Sequence, residues 1–172
     1  MRKVLIIGIV ASGKTTFAKR LSQTLDVPWY ELDAIVYHKT STGRHKRTAA
    51  EQVEEIMAID NDGAWIFEGT DRASYQCLYQ MADTIIFLDP PLRTRRIRIL
   101  TRYLKQKLGI EKCHYKPDLK MLRMMYRWTS DFERNREGFE GKLERYKEKL
   151  IRVKDTGRAS TKFARDGSAW NG

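Results

Sequence analysis

The chain has 172 residues, of which 41% are hydrophobic and 32% charged, with a net charge of +11, and these values predict a basic globular protein with a hydrophobic core. No apolar run approaches the roughly 20 residues that a membrane span needs, and the run after Met1 is too short for a signal peptide. The two cysteines lie far apart and match no metal or disulfide spacing, so we expect reduced thiols in a cytoplasmic protein.

Strand-like apolar runs alternate with helical patterns along most of the chain. We predict strands at 4–7, 29–32, 64–67, 84–88 and 150–153, and helices at 14–25, 48–59 and 91–108. In the last helix Ile97, Leu100, Leu104 and Leu108 recur at helical spacing. The sequence of residues 38–48, which is basic and contains a glycine, predicts a loop. This alternation indicates an α/β protein with a parallel sheet covered by helices on both faces.

The chain contains no internal repeat and no low-complexity linker, so we expect residues 1–155 to form one domain. Residues 156–172 differ in composition, because they are rich in Gly, Ser and Thr and show no hydrophobic period. For this segment we predict a poorly ordered polar tail.

The segment "GIVASGKT" at residues 8–15 fits the phosphate-loop pattern G-x-x-x-x-G-K-[ST], and it lies between a predicted strand and a predicted helix. The two glycines allow a tight turn whose backbone amides face an anion, and the helix that follows adds its positive dipole end. Lys14 is expected to reach the β- and γ-phosphates of ATP, and the Thr15 hydroxyl to bind Mg²⁺. The predicted nucleotide-binding residues are Gly8, Ala11, Ser12, Gly13, Lys14, Thr15 and Thr16.

Beyond this loop the chain resembles the small P-loop kinases of nucleosides and nucleotides, and most closely the DNA topology modulation proteins related to adenylate kinase. The resemblance is carried by "PWYELDAIVY" at 28–37, "WIFEGTDR" at 65–72 and "ADTIIFLDPPLRTRRIRI" at 82–99, together with the phosphate loop. It extends over about residues 1–155. It implies a three-layer P-loop fold with a five-stranded parallel sheet in the order 2-3-1-4-5 and a helical lid at roughly 109–136.

The resemblance assigns an acceptor or metal contact to Asp33, at the end of the second predicted strand. A carboxylate at this edge of the sheet is suited to accepting a proton from a hydroxyl group or to holding a water of Mg²⁺. A structural alternative is that Asp33 caps a short helix that begins at "LDAIVY".

Residues 68–72 follow the third predicted strand and resemble the acidic-glycine turn of these kinases. Arg72 is expected to grip an anionic group of the acceptor, and Glu68 to orient metal-bound water. The alternatives are a plain turn with a surface arginine for Arg72, and Asp89 as a rival metal carboxylate. The two prolines that follow Asp89 favour a cap and a rigid turn there.

Between residues 91 and 130 only Glu111 and Asp118 oppose twelve basic residues. In kinases of the resembled class, lid arginines neutralise charge on the transferring phosphoryl group, and Arg127 is our candidate for this catalytic role. The alternative arginines are Arg93, Arg96, Arg123, Arg134 and Arg136. A solvated helix face is the structural alternative for each of them.

These observations predict a Mg²⁺-dependent kinase that transfers the γ-phosphate of ATP to a nucleoside, nucleotide or similar small acceptor. The catalytic residues are expected to be Lys14, Asp33, Arg72 and Arg127. The protein is expected to act as a monomer or homodimer without a membrane partner. The alternative is a nucleotide-regulated protein that binds DNA through residues 91–130 and modulates its topology, although no helix-turn-helix or zinc motif is present. A bare ATPase that acts with a partner protein is a third option.

Overall fold

The structure, a computed structural model, describes residues 1–40, 43–110, 118–155 and 157. Its central sheet has five parallel strands in the spatial order β2-β5-β1-β6-β7. These strands are β1 (Lys3–Gly8), β2 (Trp29–Glu31), β5 (Trp65–Gly69), β6 (Thr84–Leu88) and β7 (Leu150–Val153). A separate antiparallel hairpin is formed by β3 (Tyr37–Thr40) and β4 (Gly43–Lys46). The predicted α/β class and the strand order 2-3-1-4-5 along the chain are confirmed.

Helices cover the sheet on both faces. They are α1 (Lys14–Leu25), α2 (Leu32–Val36), α3 (Ala49–Asp60), α4 (Gln76–Met81), α5 (Leu92–Lys107), α6 (Leu119–Arg134) and α7 (Arg136–Glu144). Short 3₁₀ turns precede α4 at Ala73–Tyr75 and β7 at Lys147–Lys149. Among the residues that the structure describes, no helix is both long and apolar enough to cross a membrane.

The central strand β1 is buried on both faces because each face has its own hydrophobic core. Val4 and Ile6 pack with Phe17 and Leu21 of α1, whereas Leu5 and Ile7 belong to the core of α2, α3, α4 and α7. A strand that is buried on both faces reads as a continuous apolar run, which is why "VLII" shows no alternation.

Two segments differ from the expected elements. The predicted loop at 38–48 contains the β3–β4 hairpin, in which His38 lies opposite His45. The predicted second strand is shorter than expected, because Leu32 already begins α2. The lid prediction at 109–136 falls partly on residues 111–117, outside the described chain, and its remainder is largely α6. The tail prediction at 156–172 lies outside the described residues except for Gly157.

The apolar stripe of α5 points away from the protein. The exposed fractions of Ile97, Leu100, Leu104 and Leu108 are 65%, 44%, 48% and 72%. The buried side of the same helix carries Arg95, Ile99 and Gln106. The segment is helical, as its apolar spacing predicts, but the apolar side of α5 is not its buried side.

Candidate functional site

The phosphate loop joins the end of β1 to the beginning of α1. Ala11 and Gly13 have left-handed backbone conformations, with φ angles of 59° and 96°, and the amide of Ser12 donates to the carbonyl of Ile9 at 3.2 Å. Alternation of right- and left-handed residues in such a turn makes a concave nest of amides that suits an anion. The loop thus has the backbone form that its sequence pattern predicts.

Gly8 lies where the loop approaches the neighbouring strand. A Cβ atom at this position would stand 2.6 Å from Ser12 Oγ and 2.8 Å from the carbonyl oxygen of Leu88, too close for any side chain. Ser12 itself is fully buried, and its hydroxyl has no hydrogen-bond partner within the described part of the chain. Thr16, the last predicted nucleotide contact, is exposed and does not line the cavity described below.

The ammonium group of Lys14 lies over the loop and donates to the carbonyl of Ile9 at 3.1 Å. Burial lowers the pKa of Lys14, against the raising influence of Glu68 and Asp33, and the nearby Arg102 lowers it further. An anion close to Lys14 would favour its charged form, so the site is suited to a phosphate oxygen.

Glu68, at the end of β5, is 5% exposed and accepts a 2.5 Å hydrogen bond from the Thr15 hydroxyl. Burial is the largest influence on this carboxyl and raises its pKa, although Thr15 and Lys14 act in the opposite direction. The two predicted metal-binding side chains, Thr15 and Glu68, are therefore brought together by the fold.

Asp33 and Arg72 also meet, although 39 residues separate them. Asp33 is the second residue of α2, and its Oδ1 accepts from Nη2 of Arg72 at 2.7 Å. The expected position at a strand end is thus replaced by the first turn of a short helix, where Glu31 is the N-cap residue and makes no side-chain capping bond. Gln76 fixes the backbone beneath Arg72 by donating to its carbonyl at 2.8 Å.

A cavity of about 610 Å³ connects these groups. Such a volume suits a small-molecule ligand. The phosphate loop, the ends of two strands and one face of α6 contribute to its walls. The lining residues are Ile9, Val10, Ala11, Lys14, Thr15, Glu31, Asp33, Glu68, Thr70, Arg72, Arg102, Trp128, Asp131, Phe132 and Asn135.

The residues of α6 that line the cavity were not predicted from the sequence. Trp128, Asp131, Phe132 and Asn135 follow one another at i, i+3, i+4 and i+7, which places them on one side of the helix. The mixed polar and aromatic character of "WTSDFERN" at that spacing is a signal that could have identified them.

The arginines are distributed differently from the expected lid. Arg102 of α5 lines the cavity, whereas the predicted Arg127 is exposed and is not among the lining residues. Arg98 supports the loop from outside by donating to the carbonyl of Ser12 at 3.0 Å. Arg134 pairs with Asp131 and is 73% exposed.

Asp89, the rival metal carboxylate, is engaged elsewhere. It is 8% exposed, pairs with Arg136 and does not line the cavity. Arg136 also contacts Glu133 and Glu140, and hydrogen bonding to Asp89 helps to raise its pKa. Arg136 therefore joins β6 to the α6–α7 junction.

Comparison with known structures places this geometry in a recognised fold. A shikimate kinase from Acinetobacter baumannii in complex with shikimate has a TM-score of 0.53 and 13% identity, over 96% of this chain and 92% of that chain. A gluconokinase from Sinorhizobium meliloti 1021 has a TM-score of 0.50 and 16% identity, over 96% and 88%. An uncharacterized protein from Eubacterium ventriosum ATCC 27560 has a TM-score of 0.53 and 15% identity, over 94% and 96%.

The chain has the fold of the P-loop small-molecule kinases. At these identities the likeness concerns the fold alone. No family model and no curated protein sequence matches the chain.

The side of the cavity formed by the phosphate loop and Glu68, called the donor side below, fits a nucleotide with a magnesium ion. The hydroxyl of Thr15 and the carboxylate of Glu68 are oxygen donors, which Mg²⁺ prefers, and they adjoin the amide nest and Lys14. The hydroxyl of Ser12, which has no hydrogen-bond partner among the described residues, lies in the same loop. These features suit a triphosphate with its metal ion.

Proposed function

We propose that the protein is an ATP-dependent phosphotransferase that acts, with Mg²⁺, on a hydroxyl group of a small molecule. The observation that carries the proposal is that one cavity holds both the phosphate loop with Lys14 and the Asp33–Arg72 pair. An ATP-binding protein without transfer activity has no need for the second group. The fold likeness to a shikimate kinase and a gluconokinase supports this function. We expect it to act in the cytoplasm, as a monomer or homodimer.

The donor half of the cavity binds ATP through the loop. The amides of residues 9–14 and the ammonium of Lys14 contact the β- and γ-phosphates, and Arg102 adds positive charge on the α5 side. Thr15 and Glu68 would hold the Mg²⁺ ion. When bound there, this ion offsets the negative charge of the phosphate oxygens.

The acceptor half positions a hydroxyl group for in-line attack. Asp33 accepts the hydroxyl proton while the acceptor oxygen forms a bond to the γ-phosphorus. The bond between the γ-phosphorus and the β–γ bridging oxygen breaks, and ADP leaves with the electron pair. Arg72, held by Asp33, orients the acceptor. The role predicted for Arg127 would require α6 to turn about its axis when ATP binds, because the side of α6 that lines the cavity carries Trp128 and Phe132.

The proposal is tested with purified protein, Mg²⁺ and γ-labelled ATP against a panel of hydroxyl-bearing acceptors. We expect transfer by the wild type and loss of ATP binding and transfer in Lys14→Ala, while Lys154→Ala, a surface control, keeps both. Asp33→Asn should bind ATP within about twofold of the wild type but lose transfer by about 100-fold or more. Transfer that does not exceed the Lys14→Ala level for any acceptor would refute the proposed activity.

A second candidate is nucleotide-regulated DNA binding, as in the DNA topology modulation proteins that the sequence resembles. The observation in its favour is that Arg93, Arg96, Arg123 and Arg127 are all exposed, on α5 and α6. Exposed arginines by themselves bind phosphate backbones without base specificity, and such binding weakens as salt rises. ATP-dependent binding that survives higher salt would therefore distinguish this candidate from binding by charge alone.

A further inference from the structure

We propose that the acceptor is a polyhydroxylated compound without a phosphate group, either neutral or carrying an amine, such as a sugar, a cyclitol or a nucleoside. The inference rests on the proposed phosphotransferase function and narrows it, because it excludes nucleoside monophosphates as acceptors. It is argued from the charges and surfaces of the acceptor half of the cavity.

Carboxylates dominate the acceptor half. Glu31, Asp33 and Asp131 line the cavity, as does Glu68 of the proposed metal site, and Asp131 pairs with Arg134. Three cations line the cavity beside these four carboxylates: Lys14 interacts with Arg102 and also with Asp33, and Arg72 pairs with Asp33. A phosphate dianion in the acceptor half would therefore meet several carboxylates of like charge.

Arg72 is already engaged. Its Nη2 lies 2.7 Å from Oδ1 of Asp33, and this bond must break before Arg72 can form a two-pronged contact with a phosphate. Breaking it would leave Asp33 next to the incoming dianion. A neutral hydroxyl group, by contrast, can donate to Asp33 while the arginine stays in place, and an amine gains from the surrounding carboxylates.

The α6 side of the cavity presents an aromatic surface. Phe132 is held in position by Phe139, with ring centroids 5.5 Å apart, and by Arg95 and Arg136, each 5.7 Å from the ring centre. Trp128, one turn earlier on α6, is 43% exposed and lines the same cavity. The exposed ring of Trp128 can accommodate the C–H side of a sugar or cyclitol ring or the plane of a base, and Phe132 forms the apolar surface next to it.

Hydrogen-bonding groups surround this aromatic surface. Asp131 of α6 and Asn135, the residue that follows this helix, line the cavity, and so does Thr70, the residue that follows β5. Acceptor-rich side chains of this kind pair with adjacent hydroxyl groups, which are donors as well as acceptors. Aromatic area and carboxylates together match a polyol rather than an organic phosphate.

The decisive experiment compares matched compounds by ligand-observed NMR, with a non-hydrolysable ATP analogue and Mg²⁺ present. The sets are glucose, glucosamine and glucose 6-phosphate; adenosine and AMP; and myo-inositol and its monophosphate. We expect an unphosphorylated member to bind at least about tenfold more tightly than its phosphate ester, and the amine to bind at least as tightly as the neutral sugar. In Glu31→Gln/Asp131→Asn this discrimination should shrink, whereas the surface control Glu54→Gln/Asp62→Asn should retain it.

Preference for a phosphorylated member, or binding of no member of any set, overturns the inference. An unchanged discrimination in Glu31→Gln/Asp131→Asn overturns it as well. Binding of the polyol without phosphoryl transfer from ATP would leave the acceptor class intact but would refute the phosphotransferase function.

Discussion

The hydroxyl of Thr15 donates a 2.5 Å hydrogen bond to Oε1 of Glu68, and this bond ties the first turn of α1 to the end of β5. The two residues meet because β1 and β5 are parallel neighbours, with Ile6 opposite Glu68 and Ile7 opposite Gly69. The loop that follows β1 therefore begins beside the carboxylate that ends β5.

The contribution of Glu68 to the free energy of unfolding should fall with rising pH. Burial raises its pKa above the ordinary value of 4.5, so the folded protein holds this proton more tightly than the unfolded chain does. The contribution is complete below pH 4.5 and is lost as the pH rises through the folded pKa. Glu68→Gln should therefore be more stable than the wild type at pH 8, by about 1 kcal/mol, and the gain should be smaller at pH 5.

Urea denaturation at the two pH values measures this difference. The control is Glu54→Gln, because Glu54 is exposed on α3. A loss of stability at pH 8 in Glu68→Gln would show that the buried carboxylate is not penalised.

Position 69 requires glycine because Leu32 leaves no room for a side chain there. A Cβ atom at position 69 would lie 2.8 Å from Leu32 Cβ and 2.9 Å from Leu32 Cδ1. Gly69→Ala should therefore lower the free energy of unfolding by about 1–3 kcal/mol, through overpacking of a buried site. Leu32→Ala alone should cost about 2–4 kcal/mol. Because this change removes Cδ1 and Cγ of Leu32 but keeps its Cβ, it relieves part of the clash, and the double variant should cost somewhat less than the sum of the two.

Gly138→Ala is the matched control for this cycle. Gly138 lies within α7 and has no atom within 4 Å of an added Cβ, so the substitution should stabilise the protein by about 0.5–1 kcal/mol. Additive effects of the Gly69 and Leu32 substitutions would contradict the clash.

The orientation of α5 is tested by one substitution made at two positions. Ile99 is 1% exposed and Ile97 is 65% exposed. Ile99→Ala should cost about 3 kcal/mol, whereas Ile97→Ala should change stability by less than about 0.5 kcal/mol. Chemical denaturation of both variants decides between this orientation and the reverse one, in which the costs would be exchanged.

DNA binding through α5 and α6 should be electrostatic and strongly dependent on salt. Four exposed arginines, at positions 93, 96, 123 and 127, predict a fall in affinity of about 100-fold between 50 and 200 mM salt. A gel shift with and without ATP measures it, and Arg96→Gln should reduce the slope by about one contact. ATP-dependent binding that survives the higher salt would instead favour the DNA-binding function.

Much of the fold could be predicted from the sequence because each sheet strand except β2 has its own apolar run and turn residues. The order of the strands in the sheet was predicted from the resemblance to the P-loop kinases. The short pieces were harder, since α2 has five residues and the β3–β4 hairpin lies where the charged sequence favours a loop. Such elements depend on what they pack against rather than on a pattern of their own.

The site divides in the same way. Asp33 and Arg72 were predicted separately, but their 2.7 Å contact joins α2 to the turn after β5, and only the β2–β5 pairing brings these two segments together. The α6 side with Trp128 and Phe132 was not predicted. The charge pattern of this segment points to its arginines, but the other side of the helix lines the cavity.

The phosphate loop was determined by the sequence alone, since its conformation depends on glycines at fixed spacing and on the residues immediately around them. Only the tertiary structure decided which side of a helix faces inward. On α5 the buried side carries Arg95, because Glu133 and the carbonyl of Pro90 bind its guanidinium there. The apolar stripe of α5 is therefore exposed. Helical periodicity gives the spacing of a face, but its direction is set by the partners that tertiary packing supplies.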